Sequence, residues 1–434
     1  MTGLFARFEQ QIQARSPIRW EGRVLQVTGN LVESQGPAAS LGEACDISGA
    51  SGNSYTGEII GFRGSTVLSM LAENAVGIRY GDRILAEGLR PSIKVGDGLL
   101  GRVIDAMGAP IDGLGIYAST GTVPVDAAAP LPLSRVPIRE PLGCGIRALD
   151  TLVTCGRGQR IGIFGGSGVG KSTLLGMMSR GTAADVIVMA LVGERGREAG
   201  EFLDVLGEEG RKRSVLVVST SDQSPLLRLR APLTATAIAE SFAASGRNVL
   251  LVVDSLTRFA MAQREIGLAA GEPPTAKGYT PSVLNKLARL VERAGNFRNG
   301  SITAFYTVLM EGDDLQDPVV DTVRSLLDGH IILDRALATR GHYPPIAVLE
   351  SLSRLMPSVT STAHMERARE VRSLLAAYAK SEDLVRIGAY QRGSDGLLDR
   401  AIDALPQMNA LLQQRSNERS SFAEATQALL SLAI

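Results

Sequence analysis

The run Gly165-Gly166-Ser167-Gly168-Val169-Gly170-Lys171-Ser172 satisfies G-x-x-x-x-G-K-[ST], the pattern of a phosphate-gripping turn. Glycines let the backbone curl until successive N–H groups point inward at phosphate oxygens. The helix expected next, STLLGMMSR, sets its positive end on the same anion, with Thr173 in its first turn. Lys171 is placed to neutralise β/γ-phosphate charge, and the Ser172 hydroxyl to ligate Mg²⁺. Asp254, closing the apolar run 249–253, is the second candidate for Mg²⁺, since ligands gather at the carboxyl edge of such sheets. Binding phosphate hydrolyses nothing by itself. Attacking water must be oriented and deprotonated by a carboxylate or amide at the γ-phosphate. Glu194 and Glu198, just after the run 186–191, are the candidates, and spacing alone does not rank them.

That chemistry requires a strand before the turn, a helix after it and a sheet edge that collects the acids. Apolar, β-branched runs at 160–164, 186–191, 215–219, 249–253, 301–309 and 330–333 alternate with helical stretches. The pattern predicts an α/β core with a parallel sheet covered on both faces. Four stretches precede, carry and follow it. Residues 1–19 are a docking segment in which Leu4, Phe8 and Ile12 place one apolar stripe on a helix over 1–16, stopped by Pro17. It packs on its own domain or on a partner helix. Residues 20–95 read as a small barrel or sandwich, from short runs at 23–27, 58–62, 66–71 and 83–85 broken by Gly, Asn and Pro. The core spans 96–356 and includes a Gly/Pro-rich connector, 99–142, whose prolines favour an extended crossing. Residues 357–434 are helical.

Composition removes several classes. The 434 residues carry 45 Lys+Arg against 45 Asp+Glu, with 44% hydrophobic and 4% aromatic residues, so neither disorder nor a nucleic-acid-binding face is expected. Cys45, Cys144 and Cys155 are too scattered for a disulfide framework, and a reduced, cytoplasmic setting follows. The three histidines have no zinc-ligand spacing. No apolar run reaches the roughly 18–20 residues of a membrane span, and the N-terminus lacks a secretory signal pattern.

Taken in order, GGSGVGKS, VGERGRE, LLVVDSLTRFAMAQREI and ERAGNFRNGSITAFYTVLMEGDDLQDP, with GRVIDAMGAPIDG ahead of them, resemble one family. It comprises the catalytic β subunits of rotary ATP synthases and the related type III protein-export ATPases. The resemblance covers nearly the whole chain. PLGCGIRALDTLVTCGRGQRIGIFGGSGVGKSTLL and YPPIAVLESLSRLMP are more similar to the export branch, the flagellar member first and the injection-system member second. The fold it implies is a P-loop (RecA-like) core with an N-terminal β-barrel and a C-terminal helical domain.

The resemblance also implies roles. Glu194 would be the general base, which lifts it above Glu198. Arg195 and Arg258 would order the γ-phosphate, and Tyr343 would stack on adenine. Arg354 would be an arginine finger reaching a neighbouring subunit's nucleotide, so active sites would be completed between subunits of a homo-oligomeric, expected hexameric, ring. Implied partners are a stalk-like regulator at 1–16, the export gate, chaperones and export substrates, at the cytoplasmic side of the inner membrane. Two rivals remain open. A non-catalytic ring subunit would carry an amide at 194, and an RNA-translocating hexamer would need an RNA-binding face that is not apparent here.

Overall fold

The computed structural model describes residues 20–49, 52–310, 312 and 317–434, so the amphipathic segment 1–16 lies outside the described residues. Six strands, β1 (Glu21–Thr28), β2 (Leu31–Gln35), β3 (Ala44–Ser48), β4 (Ser54–Arg63), β5 (Thr66–Leu71) and β6 (Arg83–Ala86), close into a barrel in the order β1-β2-β5-β4-β3-β6. Closure leaves no strand edge unpaired. Alternate residues, among them Val24, Val32, Cys45, Ile47, Ile59 and Ile84, fill its interior.

The connector is more than an extended crossing. β7 (Ser92–Val95) pairs antiparallel with β9 (Gly121–Pro124), while β8 (Val103–Asp105) between them joins the main sheet beside β12 (Ser214–Thr220). An ion pair fixes the turn that makes this possible. Arg102 donates to Asp112 at 2.7 and 2.9 Å, and the Val103 amide donates to the same carboxylate at 3.0 Å. These bonds hold the Asp112 carboxyl well below the usual carboxylate range, with Arg102 the larger cause. The prolines do exclude long helices from this stretch, but short strands fit between them.

The remaining sheet strands are β10 (Arg160–Gly165), β11 (Val186–Glu194), β13 (Asn248–Asp254), β14 (Gly295–Asn296), β15 (Ser301–Leu309), β16 (Gly329–Ile332) and β17 (Leu352–Ser353). Their order, β17-β16-β10-β15-β13-β11-β12-β8, is parallel apart from β17 at one edge and β14, which pairs with β15. Successive residues of β11 enter opposite cores: Val186, Val188 and Ala190 one, Ile187, Met189 and Leu191 the other. Strands buried on both faces must be apolar at every position, which explains their continuous runs. The second of these cores extends into the C-terminal helices Thr362–Arg386, Gly396–Leu412 and Phe422–Leu430, through Val371, Met408 and Leu429. Those helices therefore share packing with the helix behind the phosphate loop. On the other side, Arg230 of the helix Pro225–Ala244 meets Glu58 of the barrel at 2.5 Å, with Arg230 buried.

Candidate active site

Three parallel strands, β10, β13 and β11, end on the same edge of the sheet and deliver Gly165, Asp254 and Glu194 respectively. After β10 the chain turns through Gly168 and Gly170, whose φ values of 76° and 94° belong to the left-handed region that favours glycine. Gly170 caps the helix Lys171–Gly181, so the amides of that first turn face the cleft. Lys171 Nζ lies 2.7 Å from Asp254 Oδ1. Thr307, on β15 between β10 and β13, donates its hydroxyl to the same oxygen at 2.6 Å. Both partners of the ion pair are largely buried, which strengthens this charge-assisted bond.

A cleft of about 480 Å³ unites these groups. Gly166, Ser167, Gly168, Gly170, Lys171, Ser172 and Thr173 line one side, and Glu194, Arg197, Glu198 and Arg258 another. Gly165 and Val169 lie buried beneath, with the Gly165 carbonyl accepting from Met310 N at 3.2 Å. Glu194 is pushed up to about 7. Burial is the first cause, followed by the charge of Asp254 and a hydrogen bond with Glu198, while Lys171 pulls the other way. A carboxyl poised near neutrality can exchange a proton in either direction.

The Arg258 stem crosses the backbone just ahead of Glu194. A Cβ on Gly193 would come within 3.3 Å of Arg258 Cδ, and Gly193 itself has φ 64°. Arg258 Nε is buried with no hydrogen-bond partner among the described residues. Arg195 is placed differently. It caps the helix Gly196–Lys212, is exposed, and does not line the cleft, whereas Arg197 does. Sequence reasoning also missed Arg335, which donates to the Ser167 carbonyl at 3.1 Å.

A second cleft, of about 920 Å³, opens where the first ends, and Gly170 and Thr173 line both. Its walls are Leu174 and Met177 of the loop helix, Tyr343, Pro344 and Pro345 on one side, and segment 413–418 on the other. Tyr343 is 51% exposed, so its ring has a free face. The Gln414 amide donates to the Tyr343 carbonyl at 2.9 Å, joining the two walls. No sequence pattern marked segment 413–418. Arg354 follows edge strand β17, is exposed, and lies outside both clefts; its amide donates to Asp328 O at 3.0 Å.

Among the described residues no cluster of three or more His, Cys, Asp or Glu is disposed to hold a metal by itself. Mg²⁺ rarely needs one, because phosphate oxygens and waters complete its octahedron around one or two protein ligands. The exposed Ser172 hydroxyl and the Asp254 carboxylate at the same cleft fit that requirement. No helix among the described residues is long and apolar enough to cross a membrane.

Strand, glycine turn and helix, a lysine paired to a strand-end carboxylate, and an adjoining flat-walled cleft define a P-loop nucleotide-binding protein. Comparison with known proteins narrows the class. The ATP synthase alpha/beta family matches twice, its beta-barrel domain at residues 24–88 and its nucleotide-binding domain at 145–353, and the T3SS EscN ATPase C-terminal domain matches 360–431. The chain is 52% identical over 414 residues to the flagellum-specific ATP synthase of Bacillus subtilis, covering 95% of this chain and 94% of the relative. It is 45% identical to the type 3 secretion system ATPase of Xanthomonas euvesicatoria, at 98% and 96% coverage. Among solved structures, assembled EscN from the type III secretion system of enteropathogenic E. coli superposes with TM-score 0.91 at 43% identity, covering 95% and 99%. EscN in complex with its central stalk EscO gives 0.88 at 42%, with the same coverage. The chain belongs to this family, in the branch of the flagellum-specific ATP synthases and type 3 secretion system ATPases.

Proposed function

We propose that the chain hydrolyses Mg²⁺-ATP in this cleft and that hydrolysis energises type III protein export, with the flagellar apparatus as its first setting. The observation that carries the reading is Lys171 and Glu194 on opposite sides of one cleft, each in the electrostatic reach of Asp254. Phosphate entering the loop takes Lys171 as its counter-charge, and Arg258, on the wall of the same cleft, adds a second cation. Ser172 and Asp254 would hold Mg²⁺, which when bound draws charge off the β- and γ-phosphate oxygens. Glu194 orients the attacking water and accepts its proton, for which its elevated proton affinity suits it near neutral pH. The base lies in the second cleft against Tyr343.

Arg354 is exposed and lies outside both clefts of its own chain, which supports its acting on a neighbouring copy. A ring of identical subunits, six in the family's arrangement, completes each site in this way. The EscN–EscO complex supports a stalk-like partner for this chain as well. The N-terminal segment 1–16 would dock it, while the C-terminal helices face gate, chaperones and cargo at the cytoplasmic side of the inner membrane. Close relatedness to type 3 secretion system ATPases supports an injection-system setting as the second reading.

The deciding experiment measures ATPase activity per subunit across protein concentration, together with particle mass. Activity should rise more steeply than linearly where assembly limits it. Equal specific activity from dilute single copies would overturn the shared site.

A further inference from the structure

We propose that Arg147 and Arg180 are positioning residues that lock segment 413–418 in place as the far wall of the base compartment. The inference rests on the reading of these clefts as a nucleotide site. The segment leaves the end of the helix Gly396–Leu412 and reaches the helix Phe422–Leu430 without a strand or helix of its own. Carbonyls at a helix C-terminus lack intrahelical partners, and those of an irregular segment need donors from elsewhere.

Two guanidinium groups from the core supply them. Arg147, at the start of the short helix Arg147–Leu152, donates through Nε to Leu411 O at 3.1 Å and through Nη2 to Gln413 O at 2.5 Å. Its Nη1 meets the Glu418 carboxylate, and its backbone amide donates to Gln414 Oε1 at 2.9 Å. Gln414 returns a bond from Nε2 to Gly145 O at 2.8 Å. Arg180 holds the segment's middle, donating to Ser416 O through Nη2 and to Val205 O through Nη1.

Neither arginine lines the cleft that the segment walls. Their placement nevertheless matters to it. Arg180 lies in the last turn of the helix that begins with Lys171, so one rigid element grips phosphate at its start and braces the base wall at its end. The planar fork of arginine, with five donors, can hold several carbonyls at once where lysine has a single ammonium. An unbraced segment would present the wall only part of the time, and apparent affinity falls by that fraction. The loss should strike ligands that carry a base and spare those that are phosphate alone.

The test measures, on the full chain, ADP and inorganic pyrophosphate affinity by calorimetry and the steady-state constants for ATP. Arg147→Ala/Arg180→Ala should weaken ADP and raise KM for ATP by about ten-fold, with pyrophosphate affinity and kcat within about two-fold of the parent. Arg180→Lys should restore part of the difference. Unchanged ADP affinity, or equal losses for ADP and pyrophosphate, would overturn the proposal. Should circular dichroism show the double variant unfolded, Arg180→Ala alone is measured in the same way, with hydrogen exchange of amides 413–418; unaltered exchange overturns it equally. Lys171→Ala is the control for the site itself. If that variant binds both ligands as the parent does, the nucleotide reading fails rather than the brace.

Discussion

The phosphate end of the site and the end proposed to take the base are built on different principles. At the phosphate end, one unbroken motif and three strand ends of a single sheet bring Lys171, Asp254 and Glu194 together. At the base end, walls come from Tyr343-Pro344-Pro345 and from segment 413–418, joined by tertiary contacts across two helical layers. Charge must be met at fixed distances, so its recognition is tied to the stiffest part of the fold. A flat ring asks only for a surface of the right separation, which distant pieces of chain can supply.

That division makes graded predictions. Lys171→Ala strikes the rigid end and removes the counter-charge, so turnover should drop by about a thousand-fold or more in a steady-state ATPase assay. Arg354→Ala should cost about a thousand-fold while the protein stays folded. Mixing those two variants sharpens the comparison, because a hybrid ring contains some interfaces with both residues intact and should recover measurable activity. Glu194→Gln should lower kcat by roughly a hundred-fold or more yet leave ATP binding in place. In the parent, kcat/KM should decline as pH falls below about 7, because the base must be unprotonated and burial raises its proton affinity. The limb should disappear in Glu194→Gln. Tyr343→Ala, at the base end, should do least: KM up about five-fold with kcat nearly intact. A kcat loss there comparable to that of Lys171→Ala would erase the distinction between the two ends.

The same contrast explains what could be read in the sequence. The phosphate loop and Asp254 were legible because each follows a run of buried apolar residues, and a sheet edge gathers strand ends automatically, whereas Glu194 was set above Glu198 only by the family resemblance. The six runs of the core appear as strands with bounds shifted by a residue or a few. Two barrel strands were not visible. β2 places Ser34 at a buried position, where its hydroxyl donates to Gly36 O at 2.6 Å, and β3 alternates through Cys45 and Asp46, so neither shows a hydrophobic run. β8 hides among prolines and glycines because the Arg102–Asp112 pair, not apolar periodicity, sets its course. Arg195 stands outside the helix as its extended N-cap while Arg197 sits in the first turn facing the cleft, and motif matching does not carry that boundary. Segment 413–418 has no local signature at all. Long-range contacts bring it to Tyr343: the C-terminal helices pack on the second core, and residues far away in sequence bond its backbone.

β8 weaves the connector into the far edge of the sheet that carries the phosphate loop, and Glu58 clasps Arg230 across the junction, so the barrel is tied to the core both by the chain that leaves it and by an ion pair. A swivel needs a single pivot, and two moorings deny it one.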